Sequence, residues 1–188
     1  AAAKQLGVQV ILIGRPCKEE GLDLKAACLY LKKELGLEER DLSHFPVFID
    51  IKMKKIVVIG GGTIATRRIE ALLKFKADIA VVAPKYSRKL ELLHKENRIH
   101  IKMKEYHHED IDGAYIVLAA TNDRKINEQV YNDAKQRGIL VNVSDNKEQC
   151  DFYFPAVFSD NEIVGGIISR EGNNHKRAKE KAKLIRDF

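Results

Sequence analysis

The stretch Lys55-Ile56-Val57-Val58-Ile59-Gly60-Gly61-Gly62-Thr63-Ile64-Ala65 constrains this chain more than any other. A β-branched run, Ile56 to Ile59, flows directly into Gly60, Gly62 and Ala65, the spacing G-x-G-x-x-A of a strand-to-helix turn. Gly60 lets the chain turn tightly off the strand. Gly62 has no Cβ, so a pyrophosphate can approach the backbone, and Ala65 is small enough for the helix to pack on the sheet. Free amides at the helix start then face the phosphate, helped by the helix dipole. A helix over 63–75 and a second strand over 78–82 complete the expected unit. The expected dinucleotide contacts are Gly60, Gly61, Gly62, Thr63, Ile64 and Ala65 from the turn, with Ala83 and Pro84 after the second strand.

One element of the fingerprint is absent. The second strand should end in Asp or Glu to hold the adenosine ribose, but Ala83-Pro84-Lys85 stands there. A 2′-phosphate would call for an arginine, and Arg88 is the candidate. The reading is a nicotinamide dinucleotide, NAD in the first place, with the NAD/NADP choice open.

Composition narrows the class. Of 188 residues, 45% are hydrophobic and 32% charged, as in a folded domain rather than a disordered chain. No apolar run approaches the ~20 residues of a membrane-spanning helix, and Val8 to Ile13 is too short for a signal peptide, so no membrane partner is expected. Cys17, Cys28 and Cys150 lack C-x-x-C spacing, which fits a reducing cytoplasm rather than a disulfide framework or zinc site. The net charge is +6, with Lys176, Arg177, Lys179, Lys181, Lys183 and Arg186 crowded near the end. That balance suits an anionic partner or a solvated helix face. No aromatic interleaving supports nucleic-acid stacking.

The chain reads as three segments. Residues 1–43 hold a strand (Val8–Ile13), a helix capped by Asp23 and closed by Gly36, and a charged stretch at 38–43. The chain opens at Ala1 rather than Met, as a fragment or processed piece would. Residues 44–147 alternate strands (56–59, 78–82, 98–103, 114–119, 139–143) with helices (63–75, 87–96, 124–137), which implies a parallel, doubly wound α/β sheet. Residues 148–188 change character: strands at 152–157 and 163–168, then a basic helix from about Asn174.

The order of motifs carries a resemblance. Phe45-Pro46-Val47-Phe48 precedes the glycine strand, and Ala77 to Pro84 ends the second. Leu118-Ala119-Ala120-Thr121-Asn122-Asp123 ends the fourth, Asn142-Val143-Ser144-Asp145 the fifth, and Phe152-Tyr153-Phe154-Pro155-Ala156 follows. Over roughly 44–188 this series resembles the precorrin-2 dehydrogenase family, the N-terminal part of siroheme synthase. The resemblance implies a Rossmann-like parallel sheet followed by a small α+β dimerisation domain. It implies a homodimer and NAD-dependent oxidation of precorrin-2, an anionic tetrapyrrole with eight carboxylates, to sirohydrochlorin. Some members also insert iron. The family's key acid matches Asp145, and family members are similar at Ala83-Pro84. Residues 4–35 resemble the last strand–helix unit of precorrin-6A reductase.

The chemistry agrees with that placement. Removing a hydride from a saturated carbon also releases a proton, and a carboxylate at the carboxyl end of a parallel strand is in reach to accept it. A turn-forming role for Asp145 remains open beside the catalytic one. Thr121 and Asn122 are expected to approach the cofactor, while Asp123 also suits a helix cap. Arg170, His175 and the basic helix are candidates for the substrate acids. His107-His108-Glu109-Asp110 lacks the i, i+4 spacing of helical metal ligands, so no metal site is expected. The alternative to an enzyme is a non-catalytic dinucleotide-sensing regulatory module.

Overall fold

The computed structural model describes residues 23–34, 44–169 and 174–186. The strand expected at Val8–Ile13, the Gly36 cap, the 38–43 stretch and Arg170 lie outside the described residues, as does Cys17. The chain divides into two compact units, Ala1–Ser43 and His44–Phe188. In the first, helix α1 spans Leu24–Glu34, and the Asp23 carboxylate caps it by accepting from the Ala26 amide at 2.7 Å.

The second unit opens with an extended lead-in and then builds a five-stranded, all-parallel sheet. Its strands are β1 (Lys55–Ile59), β2 (Asp78–Val82), β3 (His100–Lys102), β4 (Ile116–Ala119) and β5 (Leu140–Val143), in spatial order β3-β2-β1-β4-β5. Helices α2 (Thr63–Leu72), α3 (Arg88–Lys95) and α4 (Arg124–Gln136) make the crossovers. Because strands buried on both faces cannot alternate polar and apolar, β1 and β4 read as continuous apolar runs, Ile56 to Ile59 and Ile116 to Ala119, all buried.

Two cores result. On one face Ile56, Val58, Ile69, Leu72, Leu90 and Leu118 pack together, with Phe152 and Phe154 laid against them. On the other, Val57, Ile59, Val117, Val130, Ala134 and Val141 do so. Gly138 (φ 65°) takes the left-handed conformation that ends α4.

The expected boundary near residue 147 falls between β5 and the last elements, within the second unit. Strands β6 (Ala156–Ser159) and β7 (Val164–Ile167) form an antiparallel pair, and helix α5 (His175–Arg186) packs on it through buried Ala178 and Ala182. The sixth strand starts later than the sequence pattern predicts. Asn142 Nδ2 donates to the Phe152 carbonyl at 2.7 Å and the Val141 amide donates to Asp151 Oδ2 at 3.0 Å. Asp151 and Phe152 are thereby pinned beside β5, and Phe152 and Phe154 pack against the core instead of joining a ladder.

Candidate functional site: a dinucleotide cleft beside a basic cleft

The sheet order reverses between β1 and β4, and a crevice opens there at the carboxyl ends of the strands. A cleft of about 560 Å³ occupies it, lined by Gly60, Gly61, Gly62 and Thr63, by Ala83 to Ser87, by Glu105 and Tyr106, and by Ala120 to Asp123. Its floor is main chain. The Gly60 amide donates to the Val82 carbonyl (2.9 Å) and the Ser87 amide to the Gly61 carbonyl (2.9 Å). The Ala120 amide donates to the Ile59 carbonyl (2.8 Å), and beyond the cleft the Ser144 amide donates to the Ala119 carbonyl (2.9 Å).

The three glycines serve different purposes. Gly60 has φ 116°, and a Cβ there would stand 2.3 Å from the Ala120 carbonyl oxygen. Gly61 presses on the loop after β2, where a Cβ would lie 2.4 Å from the Lys85 oxygen. A Cβ on Gly62 would meet nothing within 4 Å, so that position opens onto the cleft. No side chain caps the start of α2 and no acid lies in its first turn, which leaves its amides and positive dipole end available to an anion. A dinucleotide therefore fits this cradle.

Of the expected contacts, Gly60 to Thr63, Ala83, Pro84, Thr121 and Asn122 line this cleft. Ala65 is fully buried on the inner face of α2, as helix-on-sheet packing requires. Ile64 points elsewhere, into the second cleft. Arg88 is exposed and does not line the dinucleotide cleft, whereas Lys85 and Glu105 do. Glu105 and Tyr106 were not expected; the turn carrying them is held by Asp110. That buried carboxylate accepts from Lys104 Nζ (2.8 Å), the His107 amide (3.0 Å) and Lys102 Nζ (3.4 Å). Burial alone would raise its pKa, but these donors outweigh it and hold the carboxyl below the usual aspartate range. The Tyr106 hydroxyl donates to Asp133 Oδ2 at 2.8 Å, and burial, then that bond, push its pKa well up.

Asp145 follows β5 and is exposed. Asn127, one turn into α4 and 1% exposed, ties it to the dinucleotide cleft. Its Oδ1 accepts from the Thr121 amide (3.1 Å) and hydroxyl (2.7 Å), while Nδ2 donates to the Thr121 carbonyl (3.1 Å) and to Asp145 Oδ1 (2.9 Å). Asn127 was missed because an asparagine inside a helix pattern reads as a surface residue; its position four after the cap residue Asp123 is the only available signal. Asp123 caps α4 by accepting from the Lys125 amide at 2.8 Å.

Ser144, beside Asp145, lines a second cleft of about 870 Å³. Its walls come from α2 (Ile64, Arg67, Arg68 and Glu70, the last paired with Lys89), from Lys74 in the turn after α2, from the 153–157 segment, the end of β7 and α5 (Lys179, Lys183). Arg68 lies over the Phe154 ring, 5.6 Å from its centroid. Burial lowers the pKa of its guanidinium; Cys150 acts in the raising direction and neighbouring Arg67 in the lowering one. Cys150 itself is a structural thiol. Its Sγ lies 3.2 Å from the Val143 carbonyl oxygen, and burial is the largest effect raising its pKa. His107, His108 and Glu109 gather three ligand atoms within 4.8 Å at the exposed surface, but Arg137 Nη2 stands 3.4 Å from His108 Nδ1. Among the described residues no helix is long and apolar enough to cross a membrane.

A family model described as "Putative NAD(P)-binding" matches residues 47–156. The solved structure of SirC, a precorrin-2 dehydrogenase, superposes with a TM-score of 0.65 at 31% identity, over 77% of this chain and 71% of that one. The chain belongs to the precorrin-2 dehydrogenase family. Longer proteins are also similar to the chain. A protein named "Probable multifunctional siroheme biosynthesis protein HemA" from Ruminiclostridium josui is 46% identical over 143 residues, 76% of this chain and 28% of that protein. A siroheme synthase from Mannheimia succiniciproducens is 40% identical over 128 residues, 68% of this chain and 27% of its own length. The chain thus spans about a quarter of these curated relatives.

Proposed function

We propose that this chain oxidises precorrin-2 to sirohydrochlorin with NAD, as a step of siroheme biosynthesis. The observation that carries the reading is the position of Asp145. Through Asn127 it is bonded to the loop of the dinucleotide cleft, and through Ser144 it adjoins a large basic cleft. One carboxylate thereby serves both compartments.

Gly60, Gly61 and Gly62 with the start of α2 would hold the pyrophosphate, and Thr121 and Asn122 would flank the nicotinamide end. When bound, NAD supplies the acceptor for the hydride. Asp145 takes the proton that leaves the macrocycle with it, so that two electrons and two hydrogens are accounted for. Among the described residues Glu105 lines the cleft and no arginine does, which leaves Lys85 as the cation on its wall and supports NAD over NADP. Arg67, Arg68, Lys74, Lys179 and Lys183 give the second cleft the charge a polycarboxylate needs.

The strand pair and α5 expose Ile163, Val164, Leu184 and Ile185 and are too small to make a core alone. A second copy covers them in a symmetric dimer. Sedimentation at micromolar concentration should give twice the chain mass, and a monomer would contradict the assembly.

The deciding assay mixes the protein with precorrin-2 and NAD and follows NADH together with the sirohydrochlorin spectrum. Turnover is expected. A protein that binds NAD without turnover would be a sensing module instead.

A further inference from the structure

The basic cleft contains a charge that the fold alone does not explain. Arg68 stands midway along α2, and its Nη1 is buried with no hydrogen-bond partner. Among the described residues no carboxylate forms an ion pair with it. The face of Phe154 beneath it offsets only a small part of what a guanidinium loses on leaving water. A buried donor left without an acceptor is selected against unless something outside the chain completes it. The residues around it show what that is. Arg67, Lys74, Lys179 and Lys183 line the same cavity and are exposed, so they raise the local potential for anions without fixing their orientation. Arg68 differs from all of these in being half-buried and backed by an aromatic ring, and from the lysines in offering a planar fork that matches a carboxylate in two bonds. The cavity, about 870 Å³, has room for a large ligand bearing several acids.

We propose that Arg68 is the carboxylate-binding residue of this cleft, fixing one acid side chain of the tetrapyrrole and so setting how the macrocycle is turned toward Asp145. The choice of tetrapyrrole rests on the function proposed above; the carboxylate chemistry rests on Arg68 alone. The probe is uroporphyrin, a flat octacarboxylate that undergoes no dehydrogenation here, titrated by its fluorescence against the whole protein. Replacing a charge-assisted pair should weaken its binding by about 10- to 100-fold in Arg68→Gln. Arg68→Lys should recover part of the loss, since it keeps the charge but not the fork. Lys179→Gln should change affinity by only about 2-fold, as a rim charge would. In turnover, Arg68→Gln should raise KM for precorrin-2 more than it lowers kcat, with the Kd for NAD unchanged. The variant should melt no lower than the parent without ligand, because it removes an unpaired buried charge. Equal uroporphyrin affinity in parent and Arg68→Gln would overturn the assignment, as would a parent that binds none. Weakened binding by the variant of a parent that never oxidises precorrin-2 would leave the carboxylate site standing and refute the dehydrogenase reading.

Discussion

Asn127 Nδ2 donates to Asp145 Oδ1 at 2.9 Å while the same amide holds the backbone and hydroxyl of Thr121. The bond joins the loop after β4 to the loop after β5 and gives the expected proton acceptor a fixed bearing on the dinucleotide cleft.

Asp145→Asn keeps the shape of that junction and removes the base. Precorrin-2 oxidation should fall by about 10²–10⁴-fold, with NAD affinity nearly unchanged by calorimetry. A rate close to the parent's would reduce Asp145 to a turn residue.

Asn127→Ala should lower thermal stability by about 1–3 kcal/mol, because the Thr121 amide and carbonyl lose buried partners, and it should lower kcat. Asn127→Asp separates position from packing. A second carboxylate facing Asp145 opposes its charge, so the acid limb of the rate profile should move to higher pH. A profile that only scales down would make Asn127 purely structural.

Gly60 and Gly62 should respond oppositely. Gly62→Val enters open space, so the fold should survive, judged by circular dichroism, while NAD binding is lost. Gly60→Ala should destabilise the protein by roughly 1–3 kcal/mol from its backbone conformation alone, and more from the contact with Ala120. Equal melting temperatures for the two variants would contradict this division.

Asp110 makes stability depend on pH. Its folded pKa is depressed, so the stabilisation it contributes is fully present above the unfolded value of about 3.9 and is lost as pH falls through the folded value. Asp110→Asn should therefore destabilise at pH 7, and its difference from the parent should shrink below pH 4. A constant difference across that range in denaturant melts would refute the linkage.

The sheet was legible in the sequence because Ile56–Ile59 and Ile116–Ala119 bury both faces, which leaves a continuous apolar run, and because Gly60 and Gly138 mark turns that few other residues can make. The cleft glycines were legible for the same reason. Phe152 and Phe154 were misread as strand because alternating aromatics look alike in a ladder and in a core plug; only the bonds from Asn142 and to Asp151 decide between them. Asn127, Glu105 and Arg68 were hidden because the fold sets what they meet: Asn127 reaches Asp145, 18 residues on, Glu105 faces the glycine turn across the cleft, and Arg68 Nη1 is buried with no partner.

The cofactor cleft also bears on how such a site can change over time. Its floor is a lattice of three main-chain bonds, Gly60 to Val82, Ser87 to Gly61 and Ala120 to Ile59. Backbone amides are indifferent to most replacements of the side chains above them. Lys85, Glu105 and Asn122 can thus be exchanged, and cofactor preference redirected, on a platform that holds its form.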